Sequence, residues 1–306
     1  MLSYLENLTL RLAQGVAELP DELRLRQAAY LKRAQRDDGG FAGREGASDL
    51  YYTAFGLRGM ALLGELDGEP AQRAAGFLQR QLAAKTPLVD FVSLLFAGAL
   101  LQTAAGIDVF ANSAGNWHDS VATLFERFRR PDGGYAKTDE GQSSSTYQTF
   151  LIVLALEFLG RRPAEADRLL AFVRSRRRED GGFVEIGPMR NSGTNPTAAA
   201  AGLLTIFNAF DDETRNGVVD FLAPLQSDEG GLKANTRIPL ADLLSTFTGL
   251  LTLSDLNALD EIDRDAARRF VRSLEADGGF RGGEWDDAAD VEYTFYGLGA
   301  LSLLIV

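Results

Sequence analysis

Hydrophobic residues are concentrated in six segments of the chain where nearly every position is apolar. A helix without a polar face is buried on all sides. Between these segments lie stretches such as Leu169–Arg178 and Ala266–Leu274, where apolar residues are mixed with Arg and Glu, as on a helix with one wet face. The pattern predicts six buried helices that alternate with six surface helices. The six apolar segments are Thr53–Leu63, Leu94–Leu101, Phe150–Leu159, Ala199–Phe207, Phe247–Leu253 and Thr294–Val306.

A pair of glycines punctuates the chain at a nearly constant interval. The pairs begin at residues 39, 133, 181, 230 and 278, so the steps are 94, 48, 49 and 48 residues. Self-similarity at such a period marks repeat architectures. The double step predicts one further repeat, near residue 85, without its glycines. Each pair follows an acid and precedes an aromatic residue or Leu, namely Phe41, Tyr135, Phe183, Leu232 and Phe280.

Each repeat is expected to be a helical hairpin. The Gly-Gly pair should end the first helix and turn the chain, because glycine adopts positive φ without strain. Good N-cap residues stand just before the second helix. Pro196 follows one of them at the first helical position, and Ser145 with Gln148 has capping-box spacing. The six predicted caps are Asp49, Asp90, Ser145, Asn195, Asp242 and Asp290.

Six such hairpins predict an all-α fold, an (α/α)6 toroid with a double ring of six outer and six inner helices, built from six repeats of about 48 residues. An open solenoid fits the same period. The evenly apolar inner helices and the lack of polar end units favour the ring. Residues 1–18 are expected to form an N-terminal helix that covers one end, and residues 19–306 the single toroid domain.

Composition narrows the possible partners. The net charge of −12 argues against non-specific nucleic-acid binding, which needs a basic face, and against an anionic membrane surface. The absence of cysteine excludes disulfides and thiolate chemistry. The N-terminus lacks the pattern of a secretory signal, and apolar stretches such as Leu94–Leu101 are too short to span a bilayer. We therefore expect a cytoplasmic protein.

In a closed ring the N-termini of the inner helices would meet at one mouth, where unpaired N–H groups favour an anion. Below that mouth, phenylalanines would line an apolar pocket suited to an elongated hydrocarbon with an anionic head. Simpler structural explanations stand beside this one. An Asp at an N-cap position can serve only to cap its helix, and a buried Phe can serve only to pack the core. The polar rim would comprise Tyr51, Tyr52, Tyr147, Gln148, Ser245, Glu292 and Tyr293, and the lining Phe55, Phe91, Phe96, Phe150, Phe247 and Phe295.

Two motifs carry a family resemblance. The segment 35–41 reads Gln-Arg-Asp-Asp-Gly-Gly-Phe, and the helix 293–304 begins Tyr-Thr-Phe-Tyr-Gly-Leu-Gly. They resemble the prenyltransferase and squalene-cyclase repeat, as found in the β subunits of protein farnesyl- and geranylgeranyltransferases. The resemblance covers roughly residues 20–306, clearly in five repeats and weakly in the second. It implies an α-α toroid with an isoprenoid pocket.

The same resemblance argues against zinc chemistry. The family holds its catalytic zinc with an Asp and a Cys of the fifth repeat and a His of the sixth, and only Asp242 matches. The Cys position is Leu244 and the His position is Tyr293. A diphosphate-binding His falls at Asn195, and Lys233 and Arg237 echo the family's basic pair only in part. The Asp-x-Asp-Asp acid of the cyclase branch is absent, and the single histidine, His118, makes any zinc site improbable.

Three functional hypotheses remain. The first is an isoprenoid-binding protein, either a divergent transferase or a non-catalytic binder, with Mg²⁺ as the cation that could bridge a diphosphate. The second is an acid–base enzyme of the (α/α)6 class, acting on a terpene or carbohydrate, that pairs Asp242 with Asp290 or Glu292. The third is a scaffold for a helical partner like the family's α subunit, or a homodimer. Candidate catalytic residues are Asp242, Glu292 and Tyr293, and candidate ligand-binding residues are Tyr51, Tyr52, Tyr147, Asn195, Lys233, Arg237 and Phe247.

Overall fold

Helical hairpins make up almost all of the chain in the computed structural model, which describes residues 2–82 and 87–305. A single helix, α1, precedes six hairpins, so thirteen α-helices lie in the described ranges. The position near residue 85, where the second repeat is expected to lack its glycines, lies outside them. The helices are α1 Tyr4–Ala17, α2 Asp21–Ala34, α3 Leu50–Leu62, α4 Gly68–Gln81, α5 Leu88–Ala105, α6 Trp117–Glu126, α7 Thr146–Phe158, α8 Ala166–Ser175, α9 Thr194–Ile206, α10 Asp212–Leu222, α11 Leu243–Asp255, α12 Arg264–Ser273 and α13 Val291–Leu303.

Two short antiparallel ribbons accompany the helices. Strand β1, Tyr135–Ala136, pairs with β2, Ser144–Ser145, and strand β3, Glu275–Ala276, pairs with β4, Gly279–Phe280. Both ribbons lie in the segment between an outer helix and the next inner helix.

The chain divides into two compact units. The central unit contains the residues up to Leu5 and Asn116–Phe270, and the terminal unit contains Glu6–Gly115 and the residues from Val271 onward. In the central unit the inner helices pack in the order α7, α9, α11. In the terminal unit they pack in the order α5, α3, α13. The inner helix of the sixth repeat thus packs directly on that of the first, whereas an open solenoid would place these two repeats at opposite ends.

The inner helix of the second repeat is longer than its apolar core suggests. The sequence indicates Leu94–Leu101, but α5 has 18 residues, Leu88–Ala105. By length and mean hydropathy it could cross a membrane, a test that core helices of soluble proteins also pass. Here α5 packs along α3 and α4.

The Gly-Gly pairs form turns rather than helix ends. Helix α2 ends at Ala34, and the turn that follows is closed by hydrogen bonds from Arg36 N–H to the Gly40 carbonyl at 2.9 Å and from Gly39 N–H to the Arg36 carbonyl at 2.8 Å. The first glycine of every pair has a positive φ, between 85° and 100°. A Cβ at Gly181 would lie 2.1 Å from the Gly217 carbonyl oxygen on α10, so the turn also requires glycine for close approach.

In the five repeats that have a Gly-Gly pair, a threonine of the inner helix holds the residue after the pair. These aromatic or Leu side chains are fully buried, and the backbone N–H of each donates to a threonine hydroxyl at 2.9–3.1 Å. The bond satisfies a buried backbone donor that no strand partner reaches. The pairs are Phe41 with Thr53, Tyr135 with Thr149, Phe183 with Thr197, Leu232 with Thr246 and Phe280 with Thr294.

Four of the six predicted N-caps are confirmed. Asp49, Ser145, Asp242 and Asp290 each accept a hydrogen bond from the backbone N–H three residues later. At Ser145 only the bond from the backbone N–H of Gln148 forms, because Gln148 Oε1 is buried without a hydrogen-bond partner among the described residues. The reciprocal bond of a capping box is therefore absent.

The other two predicted caps are wrong. Helix α5 follows Pro87, so Asp90 lies in its first turn, and α9 follows Gly193, so Asn195 is its second residue and Pro196 its third. In α9 the helix starts earlier than predicted because its first residue bonds to the next repeat. Thr194 N–H donates to the Ala234 carbonyl at 2.9 Å, which satisfies the first helical N–H two residues before the predicted start.

Candidate functional site

A half-buried carboxylate and two tyrosines form the centre of the terminal unit's polar site. Glu292, in the first turn of α13, accepts hydrogen bonds at Oε1 from the hydroxyl of Tyr51 at 2.7 Å and from the hydroxyl of Tyr296 at 3.2 Å. Burial raises the pKa of the Glu292 carboxyl above its ordinary value of 4.5, against the hydrogen bond from Tyr51. The negative charge of Asp290 adds to the rise. Glu292 therefore holds its proton to a higher pH than an exposed glutamate.

Aromatic rings surround this carboxyl. The Phe55 ring centroid lies 5.0 Å from that of Tyr51, 5.2 Å from that of Tyr296 and 5.7 Å from that of Phe295. Phe55, Phe295 and Tyr296 are buried. The Arg58 guanidinium lies 3.9 Å from the Phe295 ring centroid, which is a cation–π contact. The arrangement is an aromatic cluster with one acid on its polar edge.

Tyr52 and Tyr293 flank the cluster. The Tyr52 ring packs edge-on against Tyr51 at 5.4 Å, and the Tyr293 ring lies 6.2 Å from that of Tyr296. Burial raises the pKa of the Tyr52 hydroxyl. The structure thus brings four of the predicted site residues, Tyr51, Tyr52, Glu292 and Tyr293, to the paired first turns of α3 and α13.

An ion cluster supports α13 from the loops on its N-terminal side. Arg44, in the loop before α3, forms a salt bridge with Asp286 and lies 3.5 Å from Asp290, the N-cap of α13. Asp286 also accepts from Gly282 N–H at 2.9 Å. Burial raises the pKa of Asp290. At Asp286 burial is again the largest single effect, but the hydrogen bonds from Arg44, Gly282 N–H and Ala288 N–H together with the charge of Arg44 outweigh it and lower the pKa.

Asp242 in the central unit serves its own helix. One carboxylate oxygen accepts from Ser245 N–H and the other from the Ser245 hydroxyl, both at 2.7 Å. Burial raises the pKa of Asp242 above its ordinary value of 3.8. Both oxygens are therefore engaged before any ligand arrives.

A catalytic zinc does not fit these residues. Of the three positions that the resemblance indicates, Asp242 is occupied by Ser245, Leu244 has no lone pair to offer, and Tyr293 is not among the usual zinc ligands. Within residues 2–82 and 87–305, no group of three or more His, Cys, Asp or Glu residues is placed to hold a metal ion.

The remaining predicted residues also lie in the central unit. Asn195 Oδ1 accepts from the Thr248 hydroxyl at 2.8 Å, so this amide joins α9 to α11. Tyr147 is 39% exposed, and its backbone N–H donates to Glu185 Oε2 at 3.3 Å. Phe247 is 4% exposed and packed in the core.

Lys233 and Arg237 lie in the loop before α11. The Lys233 carbonyl accepts from the Thr194 hydroxyl at 2.6 Å, which holds the start of this loop beside the first turn of α9. Arg237 is exposed. The proposed acid–base pairs of Asp242 with Asp290 or Glu292 join residues of different units and stay a prediction.

Several functional candidates were missed from the sequence. Tyr296 follows Glu292 by one helical turn, and this spacing alone could have identified it. Glu185, which accepts from the Ser145 hydroxyl and from Tyr147 N–H, and Arg44 belong to loops with no sequence signal for these partners.

Inner helices keep one face in partial contact with solvent, although they are otherwise buried. In α11 the half-exposed residues are Leu244, Thr248 and Leu251, at spacings of four and three, together with Ser254 and Asp255 at the end of the helix. In α7 the face contains Phe150 and Leu151, and in α5 it includes Phe91, Phe96 and Leu100. Residues three or four positions apart, such as those of α11 and Phe96 with Leu100 of α5, share one side of a helix. A mostly apolar, solvent-accessible face on a core helix is the pattern that a water-reached hydrophobic pocket produces.

Comparison with known proteins agrees with this architecture. The family model of the prenyltransferase alpha-alpha toroid domain matches residues 10–79 and 94–305. The β subunit of protein farnesyltransferase from Pisum sativum is 28% identical over 196 residues, which cover 61% of this chain and 45% of the relative. The chain thus matches less than half the length of that curated relative.

Solved structures share the fold. The protein geranylgeranyltransferase-I of Candida albicans, complexed with GGPP, superimposes with a TM-score of 0.73 at 15% identity, over 92% of this chain and 90% of that one. A type II terpene cyclase variant from Scytonema, in complex with geranylgeranyl dihydroxybenzoate, gives a TM-score of 0.62 at 14% identity, over 98% of both chains. At these identities the likeness extends to the fold alone.

Proposed function

The chain belongs to the prenyltransferase alpha-alpha toroid family, and we propose that it binds an isoprenoid, either a prenyl diphosphate or a terpenoid, without zinc chemistry. The half-exposed apolar face of the inner helices carries the proposal. Leu244 and Leu251 on α11 and Phe150 on α7 offer hydrocarbon to a space that solvent reaches. An elongated apolar ligand would displace that water, and burying its methylene groups would supply the binding free energy.

The anionic end of a prenyl diphosphate would be held at the N-terminal side of the inner helices. Lys233 and Arg237 are the nearby cations of the loop before α11, and Asn195 lies in the first turn of the neighbouring helix α9. Backbone N–H groups at a helix N-terminus favour phosphate. Mg²⁺ arriving with the diphosphate would offset the excess of carboxylates in this chain.

Calorimetry with a matched pair of tryptophan variants tests the tail site. We expect farnesyl or geranylgeranyl diphosphate to bind the wild type, and Leu251→Trp, which fills the half-exposed face of α11, to weaken binding about tenfold or more, a loss of ~1.4 kcal/mol. Leu25→Trp, on a 67% exposed position of α2, is the control and should bind normally. Equal affinities for both variants would contradict a tail site on this face.

A second experiment separates recognition of the diphosphate from recognition of the hydrocarbon tail. The double variant Lys233→Ala with Arg237→Ala should bind farnesyl diphosphate more weakly but farnesol unchanged. A parallel loss for both ligands would show that the cations do not recognise the diphosphate.

We also propose an interaction partner, either a second copy of this chain or a helical subunit. The curated relative is named as a β subunit, which implies a partner for that protein. Size-exclusion chromatography with light scattering on the purified chain would distinguish a homodimer from a monomer that awaits another subunit. A cytoplasmic location stays an expectation from sequence.

Glu292 favours a second candidate function, acid-catalysed chemistry on an alkene or a glycoside. Both tyrosines donate to Oε1, so a proton on this carboxyl would sit on Oε2. From there it could pass to an alkene carbon, whose π pair forms the new C–H bond and leaves a carbocation that loses a proton to water. Aromatic faces such as those of Phe55 and Phe295 stabilise cations.

Deuterium incorporation tests this alternative. Incubation with geranylgeraniol in D2O should give a cyclised product with carbon-bound deuterium, and Glu292→Gln should abolish it. Recovery of unchanged alcohol after prolonged incubation with the wild type would rule out alkene protonation.

A further inference from the structure

Two neighbouring loops of the central unit combine exposed apolar side chains with one arginine each. Neither residues 186–191 nor residues 234–240 include an acid, although the half-exposed Glu185 directly precedes the first segment. We define loop 4 as residues 186–191, which lead into α9, and loop 5 as residues 234–240, which lead into α11. Met189 in loop 4 is 43% exposed, and Ile238 and Leu240 in loop 5 are each 45% exposed. Large apolar side chains clustered on a surface mark a site of interaction.

Each loop also carries an exposed arginine beside its apolar residue. Arg190 follows Met189, and Arg237 precedes Ile238. Across the described ranges, neither guanidinium forms an ion pair or a hydrogen bond. The corresponding loops of the first, third and sixth repeats do contain acids, namely Glu45, Asp139, Glu140, Glu284, Asp286 and Asp287. The basic and apolar pattern therefore belongs to loops 4 and 5, in a chain whose net charge is −12.

Hydrogen bonds set the two loops side by side and fix their backbones. Thr194, the first residue of α9 and three positions after loop 4, donates through its N–H to the Ala234 carbonyl of loop 5 at 2.9 Å. The Arg178 guanidinium donates to the Gly187 carbonyl at 2.8 Å and to the Met189 carbonyl at 3.0 Å. In loop 5, Asn235 Oδ1 accepts from the N–H groups of the two residues at 237 and 238. The exposed side chains thus project from ordered loops.

We propose that loops 4 and 5 form a docking surface for an anionic lipid membrane. The apolar side chains of Met189, Ile238 and Leu240 would enter the headgroup–acyl boundary, and Arg190 and Arg237 would contact lipid phosphates. Charge complementarity selects this occupant. The two exposed arginines attract an anionic surface, whereas the chain's net charge of −12 disfavours contact through its acidic regions, so the charge that weakens binding also favours this orientation.

This inference reverses the expectation drawn from the net charge alone. Electrostatic attraction to a membrane decays within a Debye length of ~10 Å, so the local charge of the contacting loops outweighs distant carboxylates. Arg237 also belongs to the proposed diphosphate site, so the charge variant that tests the docking surface is placed at Arg190, which does not.

The absence of cysteine allows a clean labelling experiment. Single variants Met189→Cys and Ile238→Cys would carry a polarity-sensitive dye, with Ser143→Cys in the loop of the third repeat as the matched control. Vesicles of equal parts phosphatidylcholine and phosphatidylserine should shift the emission of the dyes at positions 189 and 238 to the blue, and not that at 143. Pure phosphatidylcholine should give a smaller shift, and salt should reduce the shift on the mixed vesicles.

Charge variants give a second readout in a vesicle co-sedimentation assay. Arg190→Gln should lower the affinity for the mixed vesicles about fivefold, whereas Lys137→Gln, the same change in the acid-containing loop of the third repeat, should leave it unchanged. Calorimetry with soluble farnesyl diphosphate would report independently on the ligand site.

Three results would overturn the proposal. They are a dye at position 238 that does not respond to anionic vesicles, an equal response at position 143, and equal affinities of Arg190→Gln and Lys137→Gln. A dimer in light scattering that dissociates in a Met189→Glu, Ile238→Glu double variant would assign the surface to self-association instead.

Discussion

The hydroxyl of Tyr51 lies 2.7 Å from Glu292 Oε1 and donates a hydrogen bond that joins the first turns of α3 and α13. A hydrogen bond to a carboxylate favours its charged form. Tyr51→Phe should therefore raise the pKa of Glu292 further, because the opposing effect of burial remains. The measurement is a carbon-13 NMR titration of the glutamate side-chain carboxyls.

Tyr52→Phe is the matched control for that titration. Tyr52 lies next to Tyr51 on the same helix and packs against its ring, but its hydroxyl does not bond to Glu292. A similar pKa change in both variants would mean that ring packing, and not the hydroxyl, tunes the carboxyl.

The raised pKa of Glu292 makes stability depend on pH in a defined direction. The folded protein binds this proton more tightly than the unfolded chain does, so the contribution of Glu292 is complete below the ordinary value of 4.5 and is lost as pH rises through the folded pKa. Glu292→Gln removes that loss. The free energy of unfolding of the variant, relative to the wild type, should therefore increase as pH rises above 4.5 in urea titrations.

The exposed Glu284→Gln, in the loop before α13, serves as the control for the pH series. Asp242 also has a raised pKa, but it is present in every protein compared and cancels in the difference. The charge of Asp290 contributes to the rise at Glu292, so its coupling to Glu292 is part of the measured effect. A gap between Glu292→Gln and wild type that is constant with pH would contradict the assignment.

Close approach, and not only backbone conformation, should decide which glycines tolerate alanine. Gly181 and Gly160 both have positive φ, 85° and 67°. A Cβ at Gly181 would meet the Gly217 carbonyl oxygen at 2.1 Å, whereas a Cβ at Gly160 would meet no atom within 4 Å. Gly160→Ala should cost ~1 kcal/mol of unfolding free energy from its left-handed conformation, and Gly181→Ala ~3 kcal/mol or more, because backbone must also move. Equal losses in thermal denaturation would show that contact with α10 is unimportant.

Zinc should leave this protein unchanged. We expect no rise in the melting temperature when Zn²⁺ is added and no fall after treatment with a chelator, because both oxygens of Asp242 bond to Ser245 and Leu244 offers no ligand. Metal analysis of the purified protein checks the result directly. Stoichiometric zinc that disappears in Asp242→Asn would contradict it.

Repeated signals made the fold predictable, whereas single contacts between repeats were not. Five Gly-Gly pairs and four correct caps place the hairpins. The start of α9 was misplaced because Thr194 bonds to residues 233 and 234, about forty positions away, and no local pattern announces them. The local sequence around Asn195 and Pro196 carries an equally good cap signal two residues too late.

In the candidate site, too, single residues were predictable from the sequence and the contacts between them were not. The sequence nominated Tyr51 and Glu292 separately, from their helix positions, but the hydrogen bond spans 241 residues and depends on the sixth repeat packing on the first. Asp242 was nominated from its match to a zinc ligand, and the structure shows it bound to Ser245 instead. Side-chain partners of this kind follow from packing, which a linear pattern does not encode.

The hydrogen bond from the residue after each Gly-Gly pair to a threonine of the next helix has an evolutionary consequence. It anchors both ends of the intervening loop, across 12 residues in the first repeat and 14 in the four others that carry it. Insertions, deletions and charge reversals between those anchors leave the buried aromatic residue and the helix start in place. Related proteins can therefore diversify what they recognise by rewriting these loops one at a time, while the scaffold that presents them is inherited intact.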